Sequence, residues 1–350
     1  MAPDLVGMPM EALAAHLATL GVPAHHAARV FSAVHRGGGP LAQVADLGRY
    51  AAVVEAGSSR VVAEVVEAHR SDDTTVRLVI GLADGARVES VLVPMKGGRT
   101  TLCVSTQVGC AMACAFCATG TLGLARDLTA GEIVGQVHAA TRWAGARPER
   151  LVFMGMGEPL HAYASTADAL RVLLEPRGLG FGSKQIMVST VGLPARMRRF
   201  SEEFEGRVGL ALSLHAGTDA TRRRLIPAAR ATSLAELKQV LLDHPLPGSR
   251  ALMLEVVVLP GVNDTPEELA GIAAFADGLV AIVNLLPFNP FPGAGFRSPT
   301  VDEVTAMYKA LKALGAAVSV RMPRGREASG ACGQLMLAAA DPGRSAAGPA

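Results

Sequence analysis

No apolar run in the 350-residue chain is long enough to cross a membrane. The most apolar stretches, Ala251 to Pro260 and Gly278 to Pro287, are about ten residues each, against the roughly 20 that a spanning helix needs. The N-terminus opens with Asp4 and Glu11 rather than a basic segment followed by an apolar one, so no signal peptide is expected and the chain reads as cytosolic. Charge of neither sign dominates: 33 basic and 31 acidic side chains leave a net charge of +2, which alone argues neither for nor against a polyanionic partner. No repeat of fixed period is present. Cysteines number only five, an odd count, and three of them crowd together. That usage suits metal or redox chemistry in a reducing compartment better than structural disulfides. A chain of this length can also bury a core large enough to need no staples.

The apolar spacing divides the chain. Leu13, Leu17 and Leu20, then Val30, Phe31 and Val34, recur at helical intervals, which predicts a helical N-terminal unit over residues 1–70. Thr75 to Leu82 and Arg87 to Val93 alternate like strands around the turn pair Asp84-Gly85, so a β-hairpin linker is expected over 71–98. From 99 to 335, short β-branched runs alternate with helical stretches. Strands are expected near Leu102 and over Leu151 to Met154, Gln185 to Ser189, Val208 to Ser213, Leu252 to Val258, Ala281 to Leu286 and Ala317 to Arg321. Helices are expected over Thr129 to Trp143, Ser165 to Leu174, Ser233 to Asp243, Pro266 to Asp277 and Val301 to Leu314. This rhythm gives an α/β fold with a parallel sheet and helical crossovers. Six or seven units are too few for a closed eight-stranded barrel, so the expectation is an open, partial parallel β/α barrel with its active site at the C-terminal strand ends. The small, Gly- and Pro-containing stretch 336–350 is expected to be disordered.

The strongest chemical signal is Cys110-x-x-x-Cys114-x-x-Cys117, just after the Leu102 strand. Three thiolates on one short loop can hold three irons of a four-iron cubane and leave the fourth open for chemistry. A zinc site completed by Cys103 or a histidine is the competing reading. Three arginine groups, at 196/198/199, 222/223/224 and 321/324/326, read either as solvated surface or as phosphate contacts.

The cysteine spacing resembles the radical S-adenosylmethionine (SAM) superfamily. Leu102 to Cys110, Met154-Gly155-Met156-Gly157-Glu158-Pro159, Ser213-Leu214-His215, Asn289-Pro290-Phe291-Pro292-Gly293 and Ala331-Cys332-Gly333-Gln334-Leu335, in that order, resemble the RlmN/Cfr family of RNA adenine methyltransferases. The resemblance implies a 4Fe-4S cluster on Cys110, Cys114 and Cys117, and SAM bound by Gly157, Glu158, Ser189, Ser213, Leu214, His215 and Asn289. It implies that Cys332 carries the methyl group, that Cys103 resolves the protein–RNA adduct by forming a disulfide with Cys332, and that Glu89 accepts a proton. Such a detour suits an electron-poor ring carbon between two nitrogens, which cannot attack a methyl cation equivalent but can be attacked by a carbon radical. The implied reaction is methylation at adenine C2 of 23S ribosomal RNA, and also of transfer RNA. The implied partners are RNA and an electron donor such as flavodoxin or ferredoxin.

Alternatives remain open at this level. They are methylation at C8, as in the Cfr branch, a non-catalytic iron–sulfur RNA-binding protein, and a radical SAM enzyme of a peptide or small molecule. The last two leave Cys103 and Cys332 without a role. The sequence departs from the family at 25–33, His-His-Ala-Ala-Arg-Val-Phe-Ser-Ala, where two aromatic positions are lost, and at 324–330, which lacks the usual Asp-Ile. Stacking on a base is worth about 1 to 3 kcal/mol, so these departures bear on RNA choice.

Overall fold

The computed structural model describes residues 2–37, 39–95, 97–322 and 324–335. The expected disordered tail lies outside the described residues. Three helices open the chain: α1 (Met10–Thr19), α2 (Ala27–Ser32), which continues into a π turn, and α3 (Tyr50–Gly57). Of the residues that signalled helix, Leu13, Leu17, Val30, Phe31 and Val34 are buried, and Leu20 caps the end of α1 half-buried.

Three strands follow, β1 (Glu64–Arg70), β2 (Val76–Gly81) and β3 (Arg87–Pro94), paired antiparallel. The expected hairpin is β2–β3, but β1 stands where the helical unit was expected to continue. Its Glu, His and Arg content hid it: β1 is a half-exposed edge strand with a bulge between Val65 and Glu67, so no apolar alternation betrays it. Nor is the hairpin a separate linker, because β3 pairs antiparallel with β4 (Thr100–Cys103) and so extends the main sheet.

Beyond β4 the chain runs β5 (Gln107–Gly109), β6 (Leu124–Asp127), α4 (Ala130–Ala144), β7 (Arg150–Phe153), α5 (Tyr163–Leu174), β8 (Ile186–Thr190) and α6 (Pro194–Phe204). It continues with β9 (Gly209–Ser213), α7 (Asp219–Leu225), α8 (Leu234–Leu242), β10 (Leu252–Val258), α9 (Pro266–Ala276), β11 (Ala281–Pro287), α10 (Val301–Ala313) and β12 (Val318–Val320). β4 and β7 to β12 are parallel neighbours in sequence order, an open β/α barrel as expected. β5 and β6 form a small ladder of their own. Helix starts are fixed locally. Thr129 and Thr300 make capping boxes with Glu132 and Glu303, and Ser233 and Thr265 cap α8 and α9, each cap worth about 1 kcal/mol.

The sequence reading missed α6 and α7. Both are rich in arginine, and the charge runs drew attention away from buried Met197, Phe200 and Phe204 at helical spacing in α6 and from Leu225 in α7. No helix of the described residues is long and apolar enough to cross a membrane.

Candidate active site

The cysteine loop leaves β5 through Gly109. At φ 81° and with the Gly123 carbonyl oxygen only 1.9 Å from where a Cβ would stand, this position takes glycine alone. The loop is then pinned by its own backbone: Cys110 N donates to Gly123 O (2.7 Å), Cys117 N to Cys114 O (3.1 Å) and Gly120 N to Cys117 O (3.0 Å). Cys110, Cys114 and Cys117 line one pocket of about 170 Å³. Burial pushes the Cys110 thiol up to about 12 and raises Cys114 and Cys117 as well. Such thiols keep their protons until a metal displaces them. Among the described residues, no three His, Cys, Asp or Glu side chains converge on a single ion. Three thiols from one short loop lining a single pocket suit a polynuclear cluster, one thiolate per iron.

The facing wall of that pocket holds Glu158, Ser189, Ser213, His215 and Asn289, contributed by successive strand ends as the barrel expectation required. Gly157, at φ 101°, brings the chain against Gln107, whose Oε1 accepts from Glu158 N (2.9 Å). The Glu158 carboxylate accepts from Val191 N (2.8 Å) and Leu160 N (3.0 Å), yet burial still lifts it to about 7. It is an acceptor prepared for a cation. The Ser189 and Ser213 hydroxyls lie 3.5 Å apart. His215 sits at φ 58° with Nδ1 accepting from Val257 N (3.0 Å), and burial, aided by Arg222, lowers it to about 3, so the ring is neutral. The Leu214 side chain is different: it packs in the core and only its backbone belongs to the rim, through N–H to Glu255 O (3.0 Å).

Past Cys117 and Met154 the pocket opens into a chamber of about 950 Å³. Here Cys103, half-buried at the end of β4, and the exposed Cys332 line the same space. Cys103 is pushed up to about 12 by burial and then by the nearby Cys332. The Cys332 loop is tied down on both sides: Gly333 O accepts from Ala118 N (2.8 Å), Leu335 O from Thr119 Oγ1 (2.6 Å) and Cys332 O from Asn289 Nδ2 (3.2 Å). Asn289 Oδ1 in turn accepts from Arg326 Nε (2.7 Å). None of the five cysteines forms a disulfide in this structure.

Glu89 is fully buried on β3, two residues from chamber-lining Val91, and forms an ion pair with Arg77. Arg77 Nε also donates to Ala328 O (2.6 Å), beneath the Cys332 loop.

Two of the arginine readings need correction. Arg222 is 1% exposed, and its Nη2 donates to the carbonyls of Val191 and Ser213, so it cannot be a phosphate contact or solvated surface. Arg321 lies inside the chamber, its pKa raised by Cys332 and then by Glu255 and Cys103. Nothing in the sequence set Arg222 apart from its two neighbours. Gln107 and Arg77 were also missed, although Gln107 stands inside the Leu102 to Cys110 motif.

Residues 104–275 match the family model described as the Radical SAM superfamily. The chain is 43% identical over 343 residues to the dual-specificity RNA methyltransferase RlmN of Anaeromyxobacter dehalogenans, covering 95% of this chain and 91% of the relative. It is 44% identical over 275 residues to the probable dual-specificity RNA methyltransferase RlmN of Deinococcus deserti, covering 78% and 80%. The crystal structure of a radical SAM methyltransferase from Sphaerobacter thermophilus superposes with a TM-score of 0.86 at 36% identity, over 95% of this chain and 99% of that one.

Proposed function

The chain belongs to the RlmN family of radical SAM RNA methyltransferases, and from that premise we propose that it methylates C2 of an adenine in both 23S ribosomal RNA and transfer RNA. The relatives' dual-specificity naming supports the two RNA classes. In this reading Cys110, Cys114 and Cys117 hold a 4Fe-4S cluster, and Glu158, Ser189, Ser213, His215 and Asn289, with the backbone at Gly157 and Leu214, hold SAM. Bound together, these groups supply a methyl group and a 5′-deoxyadenosyl radical.

The observation that carries the proposal is the meeting of Cys332 and Cys103 in one chamber that opens onto the cysteine-loop pocket. Cys332, presented by a loop whose backbone is fixed at residues 332, 333 and 335, is the methyl carrier. Cys103 stands across from it as the thiol that closes a disulfide and releases RNA. Glu89, kept in place by Arg77, is the proton acceptor, and Arg77 is its positioning residue. The missing aromatics of the N-terminal unit are not replaced by a pair of exposed rings: His26 is buried 5.3 Å from the Tyr50 ring, leaving only His25 outward.

The test is nucleoside mass spectrometry after reaction of reconstituted protein with unmodified 23S and transfer RNA fragments. The expected product is 2-methyladenosine in both RNAs. 8-Methyladenosine would overturn the assignment to C2, and product in only one RNA would overturn the dual specificity.

A further inference from the structure

We propose that RNA reaches the chamber through the N-terminal end of the barrel, where Arg150, Lys184 and Arg250 hold the phosphates on either side of the target nucleotide. The inference rests on the reading that the substrate is RNA.

The chamber that holds Cys103 and Cys332 runs down to the starts of the parallel strands, because Arg150, Lys184 and Arg250 line it too. Arg150 opens β7, Lys184 stands two residues before β8, and Arg250 two before β10. Strand register gives the depth. Cys103 pairs with Val152, two residues past Arg150, and Val152 pairs with Met187, three past Lys184. At about 3.3 Å per residue, this rim lies roughly 7 to 10 Å below Cys103. That is the depth of a base and its sugar. A nucleotide drawn out of its strand therefore puts its ring beside the two thiols and leaves its phosphates among the cations.

Charge in the chamber is one-sided. Arg150, Lys184, Arg250, Arg321 and Arg324 line it against Glu255 alone, in a chain whose net charge is only +2. Glu255 is also occupied, accepting from Asn284 Nδ2 (2.8 Å). Arg150 and Lys184 are exposed and Arg250 is half-buried, and among the described residues none of the three forms an ion pair. Arg250 Nη2 donates to a carbonyl, Arg207 O (3.0 Å). The carboxylate next to Arg150, that of Glu149, is turned to Thr100 and accepts from its Oγ1 (3.0 Å). Unpaired cations around a mouth draw in a polyanion. Met95, 44% exposed, follows the Pro94–Thr100 pair at the same mouth and offers an adaptable apolar surface to bases.

The other sides of the chamber are taken. The cysteine-loop pocket occupies the C-terminal end. After β12 the chain crosses the open side of the barrel and is tied to the β1–β2 turn and the end of β3. Gly325 N donates to Asp73 Oδ2 (2.9 Å), Ala328 N to Ser71 Oγ (3.1 Å) and Arg324 to the Pro94 carbonyl.

The experiment uses the reconstituted protein and an RNA stem-loop that carries the target adenine. With RNA bound, the acetylation rate of Lys184, read by peptide mass spectrometry, should fall at least tenfold, while Lys309, exposed on α10 and no part of the chamber, keeps its rate. Replacing Arg150, Lys184 and Arg250 together by Gln should lower the slope of log affinity against log salt by about 2, as expected for three lost phosphate contacts. Lys184 equally reactive with and without bound RNA overturns the proposal, as does a parental slope in the triple variant. Protection of Lys184 by adenosine monophosphate as strong as that by RNA marks a mononucleotide site and overturns it too. A parent protein that binds no RNA overturns the reading of the substrate, and this inference with it. Bound RNA that leaves both Lys184 and the slope untouched overturns the inference alone.

Discussion

Arg77 and Glu89 form a buried ion pair directly beneath the loop that presents Cys332, the two side chains being 7% and 0% exposed. Arg77 thus joins the proposed proton acceptor on β3 to the backbone of the methyl-carrying loop, through its bond to Ala328 O (2.6 Å).

Arg77→Met removes the cation from a carboxylate that stays buried, a change that typically costs about 3 to 5 kcal/mol. Urea unfolding of the cluster-free protein at pH 7.5 should show a loss of that order, and the Cys332 loop should become more open to alkylation. An Arg77→Met protein as stable as the parent would show that the pair does not hold this corner of the fold.

Iron binding should require all three loop cysteines, since losing one thiolate leaves two irons of a cubane open. Cys110→Ala, Cys114→Ala and Cys117→Ala should each reconstitute with little iron and cleave no SAM. Full iron content with undiminished 5′-deoxyadenosine from Cys114→Ala would remove this loop from the chemistry. Because burial raises all three thiols, uptake of iron should release protons and become tighter as pH rises.

A histidine pair joins the N-terminal unit to the barrel. His35 Nδ1 and His138 Nε2 are 3.2 Å apart with stacked rings, and burial lowers His35 to about 3 and His138 to about 4 from an ordinary 6.5. Depressed values mean that the unfolded chain takes up protons first. The stability they contribute is complete above pH 6.5 and is lost as pH falls through the folded values. The urea midpoint should therefore drop between pH 7 and pH 5, and the drop should shrink in the His35→Leu, His138→Leu double variant. An equally steep pH dependence in that variant would assign the effect to other groups.

Much of this was legible in the sequence because it depends on local signals. The parallel strands announced themselves by β-branched runs, and the cysteine loop by the spacing of its three thiols. What escaped depends on contacts distant in the chain. β1 is a strand only because β2 pairs with it, and its charged residues carry no period. Arg222 and Arg223 are adjacent in an arginine run, yet a helical turn sends one into the protein and the other to solvent. Leu214 matched a binding motif, but its side chain belongs to the core.

That distinction changes what arginine substitutions should do to RNA affinity. Arg223→Ala with Arg224→Ala removes exposed charge near the cysteine loop, and each lost phosphate contact should lower the slope of log affinity against log salt by about 0.7 to 0.9. Arg222→Ala should leave that slope unchanged, because the side chain is buried against the Val191 and Ser213 carbonyls. Equal effects of all three arginines on the slope would contradict the burial of Arg222.

The last prediction separates Cys103 from Cys332, which a zinc site or a binding protein would treat as equivalent. Cys332→Ala deletes the proposed methyl carrier, so it should still take up iron and bind SAM while transferring methyl to neither protein nor RNA. Cys103→Ala acts later. The methyl is loaded and the carbon bridge to the base forms, but no thiol is at hand in the chamber to form the disulfide that frees the product. RNA should accumulate covalently joined to the Cys103→Ala protein and appear as a shifted band on a denaturing gel after anaerobic reaction with SAM. The band should vanish in the Cys103→Ala, Cys332→Ala double variant, because no bridge can then be built. Should Cys103→Ala turn over like the parent with no trapped RNA, the two cysteines that share this chamber do not work as carrier and resolver.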